Sequence, residues 1–213
     1  MGGTDKVFAP LIGSPLILHT LRPFCESPSV HFIVLLLGQH NLEKGKQLVR
    51  ERGLTKVVAV TLGGQRRQDT VRLGLDALPS CRWVLVHDGA RPCLDPSLID
   101  QALAAAQDTG AAAAGVPVKD TIKLVDPSLH VLETPPREAL WAIQTPQAFR
   151  REVLEEAHRR IQKDATDDAS MVEQLGYRVK VFTGSYTNLK VTTPEDLWLA
   201  EAILRRRSSA PKP

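Results

Sequence analysis

The sequence is short of cysteine, of metal-ligand histidine spacing and of long apolar runs, and each shortage removes a class of function. Cys25, Cys81 and Cys93 lie far apart and form no CxxC pair. They read as reduced thiols rather than as a disulfide frame. The six histidines show neither HxxxH nor HExxH, which argues against a zinc site. The longest apolar run, FIVLLL, is far short of the roughly 20 residues that a membrane span needs. MGGTDK has no signal-peptide character. GxxxxGK[ST], GxGxxG and GxSxG are all missing, so a P-loop, a dinucleotide fingerprint and a hydrolase elbow are not expected. Charge is nearly balanced, with 27 basic and 24 acidic residues and a net +3, too mild to mark a nucleic-acid binder. Much of that excess sits in RRRSSAPKP, which reads as a frayed terminus. A cytoplasmic protein with neither nucleic acid nor membrane as partner is expected.

What is present is an ordinary globular composition, 43% apolar and 24% charged over 213 residues, enough for one domain with a real core. Strand-like and helix-like segments alternate. Ser14-Pro15 opens a helix, serine as cap and proline in the first turn, running to about Phe24. HFIVLLL (31–37) suits a strand covered on both faces. Asn41 caps a second helix that Gly53 ends. KVVAVT (56–61), a helix from about Arg67 to Leu78, RWVLVH (82–87), a helix from Asp95-Pro96 to Gly110, and AAAAGVPV (111–118) follow. The alternation predicts an α/β fold, Rossmann-like, with a mostly parallel sheet and helices on both faces. DTIKLV and HVLET flank Pro127 and read as a β-hairpin in an excursion at about 119–141. Either this is an arm against a partner subunit or a plain surface hairpin. Helices at about 150–162 and after Asp167, a strand at 178–182, NLKVTT, and a helix opened by Thr193-Pro194 complete the chain.

In such folds ligands sit beyond the carboxyl ends of strands. The stretch VLVHDGARPCL (84–94) puts Asp88 and Arg91 there, and Gly63-Gly64 follows another strand. Lys6, Arg67, Asp88, Arg91 and Lys190 are the charges next to predicted strand ends. Several cations with one carboxylate suit phosphates plus a divalent metal. The plainer alternatives are that Asp88 is a turn residue and Arg67 a solvated one. Lys190, between apolar residues, needs a reason to be there. The glycine pair is either a turn or a close approach to a base or phosphate. Thr70 offers a hydroxyl or a cap. His87 reads as a packing or hydrogen-bonding residue.

Seven stretches, DKVFAPLIGSPLILHTL, GGQRRQDTVRLGL, WVLVHDGARP, GVPVKDTIK, LWAIQTPQAF, TDDASMVEQLGYRV and NLKVTTPEDLWLAE, cover nearly the whole chain. Together they resemble the 2-C-methyl-D-erythritol 4-phosphate cytidylyltransferase family. The resemblance implies a Rossmann-like domain, 1–213, with a β-arm that builds a homodimer. It implies transfer of CMP from CTP to the polyol phosphate, with Mg²⁺ or another hard divalent cation. Lys6 matches the lysine against the triphosphate. Gly64, Gln65 and Thr70, with Arg67 beside them, match the cytidine-recognising loop and helix. Gly89 stands in the nucleotide site where alanine is common. Asp88 matches the aspartate at the metal and α-phosphate, and Lys190 the lysine at the reacting phosphorus. Lys6, Asp88 and Lys190 are thus the implied catalytic set. Arg91, Thr145 and Thr166 match residues that hold the polyol phosphate. Thr121 and Arg137 match arm residues reaching the neighbouring subunit's site. Two other readings stay open: another acceptor such as ribitol 5-phosphate, and a catalytically impaired nucleotide-binding relative.

The family opens with a strand and a loop of the type AAGxGxRM, and this chain begins at the Met of that motif. The expectation is either a start site downstream of the native one, the longer protein being an ordinary enzyme, or a truly short chain. A short chain is expected to have weak or absent activity, unpaired sheet edges and a tendency to associate.

Overall fold

The apolar runs become strands and the amphipathic stretches between them become helices. The structure, a computed structural model, describes residues 6–209, so Met1, matched to the end of the AAGxGxRM motif, lies outside it. A hairpin of β1 (Pro10–Leu11) and β2 (Ser14–Pro15) leads into α1 (Leu16–Glu26). Then come β3 (Ile33–Leu37), α2 (Leu42–Glu51), β4 (Val57–Leu62), α3 (Arg67–Ala77), β5 (Trp83–Val86), α4 (Ser97–Thr109) and β6 (Ala111–Pro117). The excursion carries β7 (Leu124–Val125) and β8 (Val131–Glu133), an antiparallel pair. After it follow β9 (Trp141–Arg150), α5 (Arg151–Arg160), α6 (Asp168–Gln174), β10 (Lys180–Thr183) and α7 (Pro194–Ser209).

Some local expectations are corrected. Ser14 does not cap α1: it pairs with Leu11, and Pro15 takes the cap position without a side-chain bond. The backbone does the work instead, Leu16 N–H donating to Ala9 O at 2.9 Å. Asn41 stands at the start of α2, yet its side chain makes no cap bond, because a 3₁₀ turn over Gln39–Asn41 leads in. NLKVTT forms no strand. Of the tail read as frayed, the part to Ser209 is helical, and 210–213 lie outside the described residues. Arg207 Nη1 donates to Cys93 O (2.9 Å) and Leu94 O (3.1 Å), which docks it. The largest omission is β9, ten residues that pair with both β5 and β6. Pro146 inside it lacks a ladder donor and hides it from a pattern search.

β9 also makes the sheet mixed rather than mostly parallel. One piece has the order β10-β6-β9-β5, the other is β3-β4. β6 and β10 are parallel, as are β3 and β4, but β9 runs antiparallel to β5 and β6 because the chain returns from the arm beside the strand it left. Among the described residues β3 pairs only with β4 and β5 only with β9. Their other edges line one apolar cleft of about 760 Å³, with Phe24, Leu35, Leu37, Leu75 and Val84 on its walls.

Small side chains fix the layer spacing. Ala111–Ala114 are at most 1% exposed, and Ala112 packs with Ala102, Ala105 and Ala106 of α4 and Ala148 of β9. No void waits for a larger group there, so added methylenes force backbone shifts costing about 1–3 kcal/mol. Ala112→Leu is therefore expected to lower the melting temperature by several degrees in calorimetry. An unchanged transition would show that the alanines do not set the helix–sheet distance.

Candidate active site

Strands β3 and β4 end together, Gly63 N–H donating to Leu37 O at 2.9 Å. β5 delivers His87 and Asp88 to the same edge, and the end of the apolar cleft beneath it is lined by Arg67, Thr70, Asp88 and Gly89. The cleft itself is walled mostly by apolar side chains, and this mouth brings Arg67, Thr70 and Asp88 together.

Asp88 is the centre. Lys190 Nζ lies 3.1 Å from its Oδ2, Arg91 Nε 3.3 Å from the same oxygen, and Arg67 Nε 3.8 Å from Oδ1. Burial pushes the Asp88 pKa up, but Lys190, Arg91 and Arg67 outweigh it and hold the group below its ordinary value. Each cation comes from a different local structure. Arg67 begins α3. Arg91 stands in the turn that Asp88 opens (Arg91 N–H to Asp88 O, 3.1 Å), and its Nη1 donates to Asn188 O at 2.7 Å. Lys190 is carried by an irregular segment laid along that turn: Asn188 Nδ2 donates to Thr145 O (2.8 Å) and Val191 N–H to Ala90 O (2.8 Å). Leu189 and Val191 pack into the core beside β1 and α7. Side-chain alternation there needs no sheet.

Thr145 joins through a bulge in β9. Ala113 faces Gln147 and Gly115 faces Ile143, so 144–146 stand opposite Ala114 alone. Such a bulge re-aims side chains. Thr145 Oγ1 accepts the Asp88 N–H at 3.1 Å and lies 3.0 Å from His87 Nδ1. LWAIQTPQAF is among the matching stretches, but nothing local in it signals the bulge. His87 packs on Phe24 with ring centroids 5.0 Å apart, and desolvation pushes its pKa down to about 4. It is a neutral, packed, hydrogen-bonded residue.

The glycine loop is shaped by α3. A Cβ on Gly64 would come within 2.5 Å of Asp69 Cβ. Thr70 Oγ1 accepts from Gly64 N–H at 2.9 Å and reaches Arg66 O at 3.1 Å, a local lock on the loop. Gln65 is exposed beside it. A Cβ on Gly89 would meet Ile17 Cδ1 at 3.0 Å and Val7 Cγ1 at 3.8 Å, which places Lys6, one residue before Val7, near this end of the site. Lys6 itself is half-buried in a 3₁₀ turn. Thr166 is exposed on the loop before α6. Thr121 and Arg137 stay with the arm, both exposed, Arg137 Nη1 donating to Lys119 O at 3.0 Å. The structure thus brings Asp88, Arg91, Lys190, Arg67 and Thr145 together and leaves the arm residues apart. Asp168, which takes Arg67 Nη1 at 2.6 Å, was not singled out in the sequence; nothing local marks it.

A model of the 2-C-methyl-D-erythritol 4-phosphate cytidylyltransferase family matches residues 1–206. A protein of that name from Dehalococcoides mccartyi is 51% identical over 206 residues, 97% of this chain and 91% of the relative. The crystal structure of 4-diphosphocytidyl-2C-methyl-D-erythritol synthase from Anaerococcus prevotii superposes with a TM-score of 0.86 at 28% identity, covering 97% of this chain and 92% of that one. The 2-C-methyl-D-erythritol 4-phosphate cytidylyltransferase from Thermus thermophilus gives 0.78 at 37% identity, covering 94% of each.

Because His87 is held neutral in the fold, it protonates more readily once unfolded. Its contribution is fully present above about 6.5 and is lost as pH falls toward 4. The loss is on the order of 3 kcal/mol. His87→Asn should flatten the fall of unfolding free energy between pH 6.5 and 4 relative to wild type. Equal slopes in parallel denaturant titrations would mean that other groups carry the acid sensitivity.

Proposed function

The chain belongs to the 2-C-methyl-D-erythritol 4-phosphate cytidylyltransferase family, and on that premise we propose how it transfers CMP from CTP to 2-C-methyl-D-erythritol 4-phosphate. The products are 4-diphosphocytidyl-2-C-methyl-D-erythritol and pyrophosphate, a step of non-mevalonate isoprenoid synthesis. The observation that carries the reading is the cluster of three cations about Asp88. Two anions must meet here, and like unit charges 4 Å apart repel by about 4 kcal/mol at an effective dielectric of 20. Cations already gathered at the site offset that repulsion before the reaction begins.

In this reading a phosphate oxygen of the polyol phosphate attacks the α-phosphorus of CTP in line. The new O–P bond forms as the bond to the bridging oxygen breaks, and pyrophosphate leaves with that electron pair. The chain's work is positioning and charge stabilisation, without a covalent intermediate. Lys6 sits against the triphosphate, and Gly64, Gln65, Arg67, Thr70 and Gly89 surround the nucleotide. Lys190 faces the reacting phosphorus. Arg91, Thr145 and Thr166 hold the acceptor phosphate. Residues 1–213 work as one nucleotidyltransferase domain.

Asp88 also suits a hard divalent cation such as Mg²⁺. Among the described residues the two closer cations, Lys190 and Arg91, face its Oδ2, while Arg67 Nε stands 3.8 Å from Oδ1. Among the described residues no three His, Cys, Asp or Glu converge. One carboxylate with phosphate oxygens for the remainder is an ordinary Mg²⁺ arrangement. Held there, such an ion would neutralise triphosphate charge.

We further propose a homodimer through the arm, 119–141, with Thr121 and Arg137 reaching the partner's site. Support comes from its apolar exposure: Leu129 is 80% exposed and Leu132 69%, with Leu124, Val125 and Val131 beside them. Such contiguous exposure marks contact surfaces. The free Cys25, Cys81 and Cys93 suit a reducing, cytoplasmic setting. Among the described residues no helix is long and apolar enough to cross a membrane.

Pyrophosphate release with CTP and Mg²⁺ tests the transfer, with 2-C-methyl-D-erythritol 4-phosphate and ribitol 5-phosphate as rival acceptors. Preference for the former is expected. Preference for ribitol 5-phosphate, or CTP binding without turnover, would overturn the acceptor or the activity. Lys190→Ala should lower kcat by about 10²–10³-fold, with a smaller effect on CTP affinity. Undiminished kcat would take Lys190 out of the mechanism.

For the arm, the double variant Leu129→Glu/Leu132→Glu should shift the mass measured by light scattering from dimer to monomer and reduce turnover. A wild-type monomer would remove the arm from the site.

A further inference from the structure

Arg67 spans two carboxylates, one at the mouth of the site and one in the core. Its Nε faces Asp88 Oδ1 at 3.8 Å, and its Nη1 donates to Asp168 Oδ2 at 2.6 Å. Asp168 is fully buried, and its other oxygen lies 2.9 Å from Nε2 of His158, itself buried on α5. Both Asp168 oxygens are therefore committed, one to each donor.

We propose that Asp168 is a positioning residue for the transfer, the buried anchor that fixes the Arg67 guanidinium at the nucleotide, with His158 completing the anchor. The proposal rests on the reading that Arg67 serves the nucleotide site. A plain structural role for Asp168 is already filled by its neighbour. Asp167 caps α6, its Oδ1 accepting from Ser170 N–H at 2.9 Å and its Oδ2 from Gln147 Nε2 at 2.7 Å. Around Asp168 the packing is apolar, with Ala169, Met171 and Val172 all buried. A buried ion pair gains little over a well-packed apolar group, so its placement argues for geometry rather than for stability.

The anchor also joins two halves of the site. Arg66 Nη1 donates to Gln162 O (3.2 Å) and Asp164 Oδ1 (3.0 Å), and Gln68 Oε1 accepts from Ala165 N–H (3.2 Å). Three successive residues at the start of α3 thus hold the 162–168 loop. That loop carries Thr166, so the nucleotide side and the acceptor side share one tie.

The test is a double-mutant cycle on the full chain. Asp168→Asn keeps the volume and removes the charge. It should weaken CTP binding, read by titration calorimetry, by about tenfold, the scale of one charge-assisted hydrogen bond. KM for CTP should rise more than kcat falls. Arg67→Ala should do at least as much, and Arg67→Ala/Asp168→Asn should bind CTP no worse than Arg67→Ala alone, since partners in one network are not additive. Additive losses, or a folded Asp168→Asn with normal CTP affinity, would overturn the anchor. Should Asp168→Asn fail to fold, His158→Gln replaces it. A smaller loss of CTP affinity that disappears in the Arg67→Ala background supports the proposal, and no loss overturns it. If Arg67→Ala itself binds and turns over CTP normally, the nucleotide role of Arg67 fails, and the anchor with it.

Discussion

The Asp88 carboxylate is the constraint on which this edge of the molecule depends. Three cations from three distant segments converge on it: the start of α3, the turn after β5 and the segment before α7. Without that charge, Arg67, Arg91 and Lys190 would face one another across a partly buried pocket. Like charges brought into one partly buried pocket repel, and a shared carboxylate offsets that repulsion. The carboxylate thus ties these three segments to one point.

How that convergence is built explains what the sequence disclosed. The strand–helix alternation, the glycine loop and the charged turn HDGARP are local signals, and each was legible because local chemistry decides it. Gly110, with φ of 82°, ends α4 for a reason that the residue type announces. β9 was not legible, because Pro146 argues against a strand and only its two neighbours on the sheet argue for one. Lys190 drew attention as a lysine among apolar residues, but its reason is not a strand. Leu189 and Val191 turn inward, and Asn188, at 0% exposure, bonds across to Thr145 O. Asp168 and His158 lie ten residues apart, on two helices, with no shared motif. Bonds of that kind are made by tertiary structure and leave no periodic trace.

The two pieces of sheet meet chiefly through helices. α1 lays Ile17, Leu18 and Leu21 against Leu35 and Leu37 of β3. α3 touches both pieces. A Cβ on Gly74 would come within 3.0 Å of Leu36 Cδ1, while Leu75 packs with Val84 and Phe149. The apolar cleft between β3 and β5 lies under this bridge and opens at the polar mouth. Arg67 stands at the first turn of the bridging helix. Its position is thus set by the packing of both sheet pieces, and α3 is where a change in their spacing would reach the site.

The three cations differ in freedom, and the difference suits their proposed tasks. Arg91 is 10% exposed at its side chain and tied to Asn188 O; Arg67 is tied to Asp168. A planar guanidinium with fixed partners is a rigid template for phosphate oxygens. Lys190 is 43% exposed and holds Asp88 by a single ammonium contact. An ammonium on a flexible stem can follow charge as it moves from the attacking oxygen to the leaving group, which a bidentate arginine cannot do without breaking its own bonds. Rigid arginines to position and one loosely held lysine to respond is the division of labour that the proposed displacement between two anions assigns to them. Asp88 keeps that lysine in reach until the phosphates arrive to compete for it.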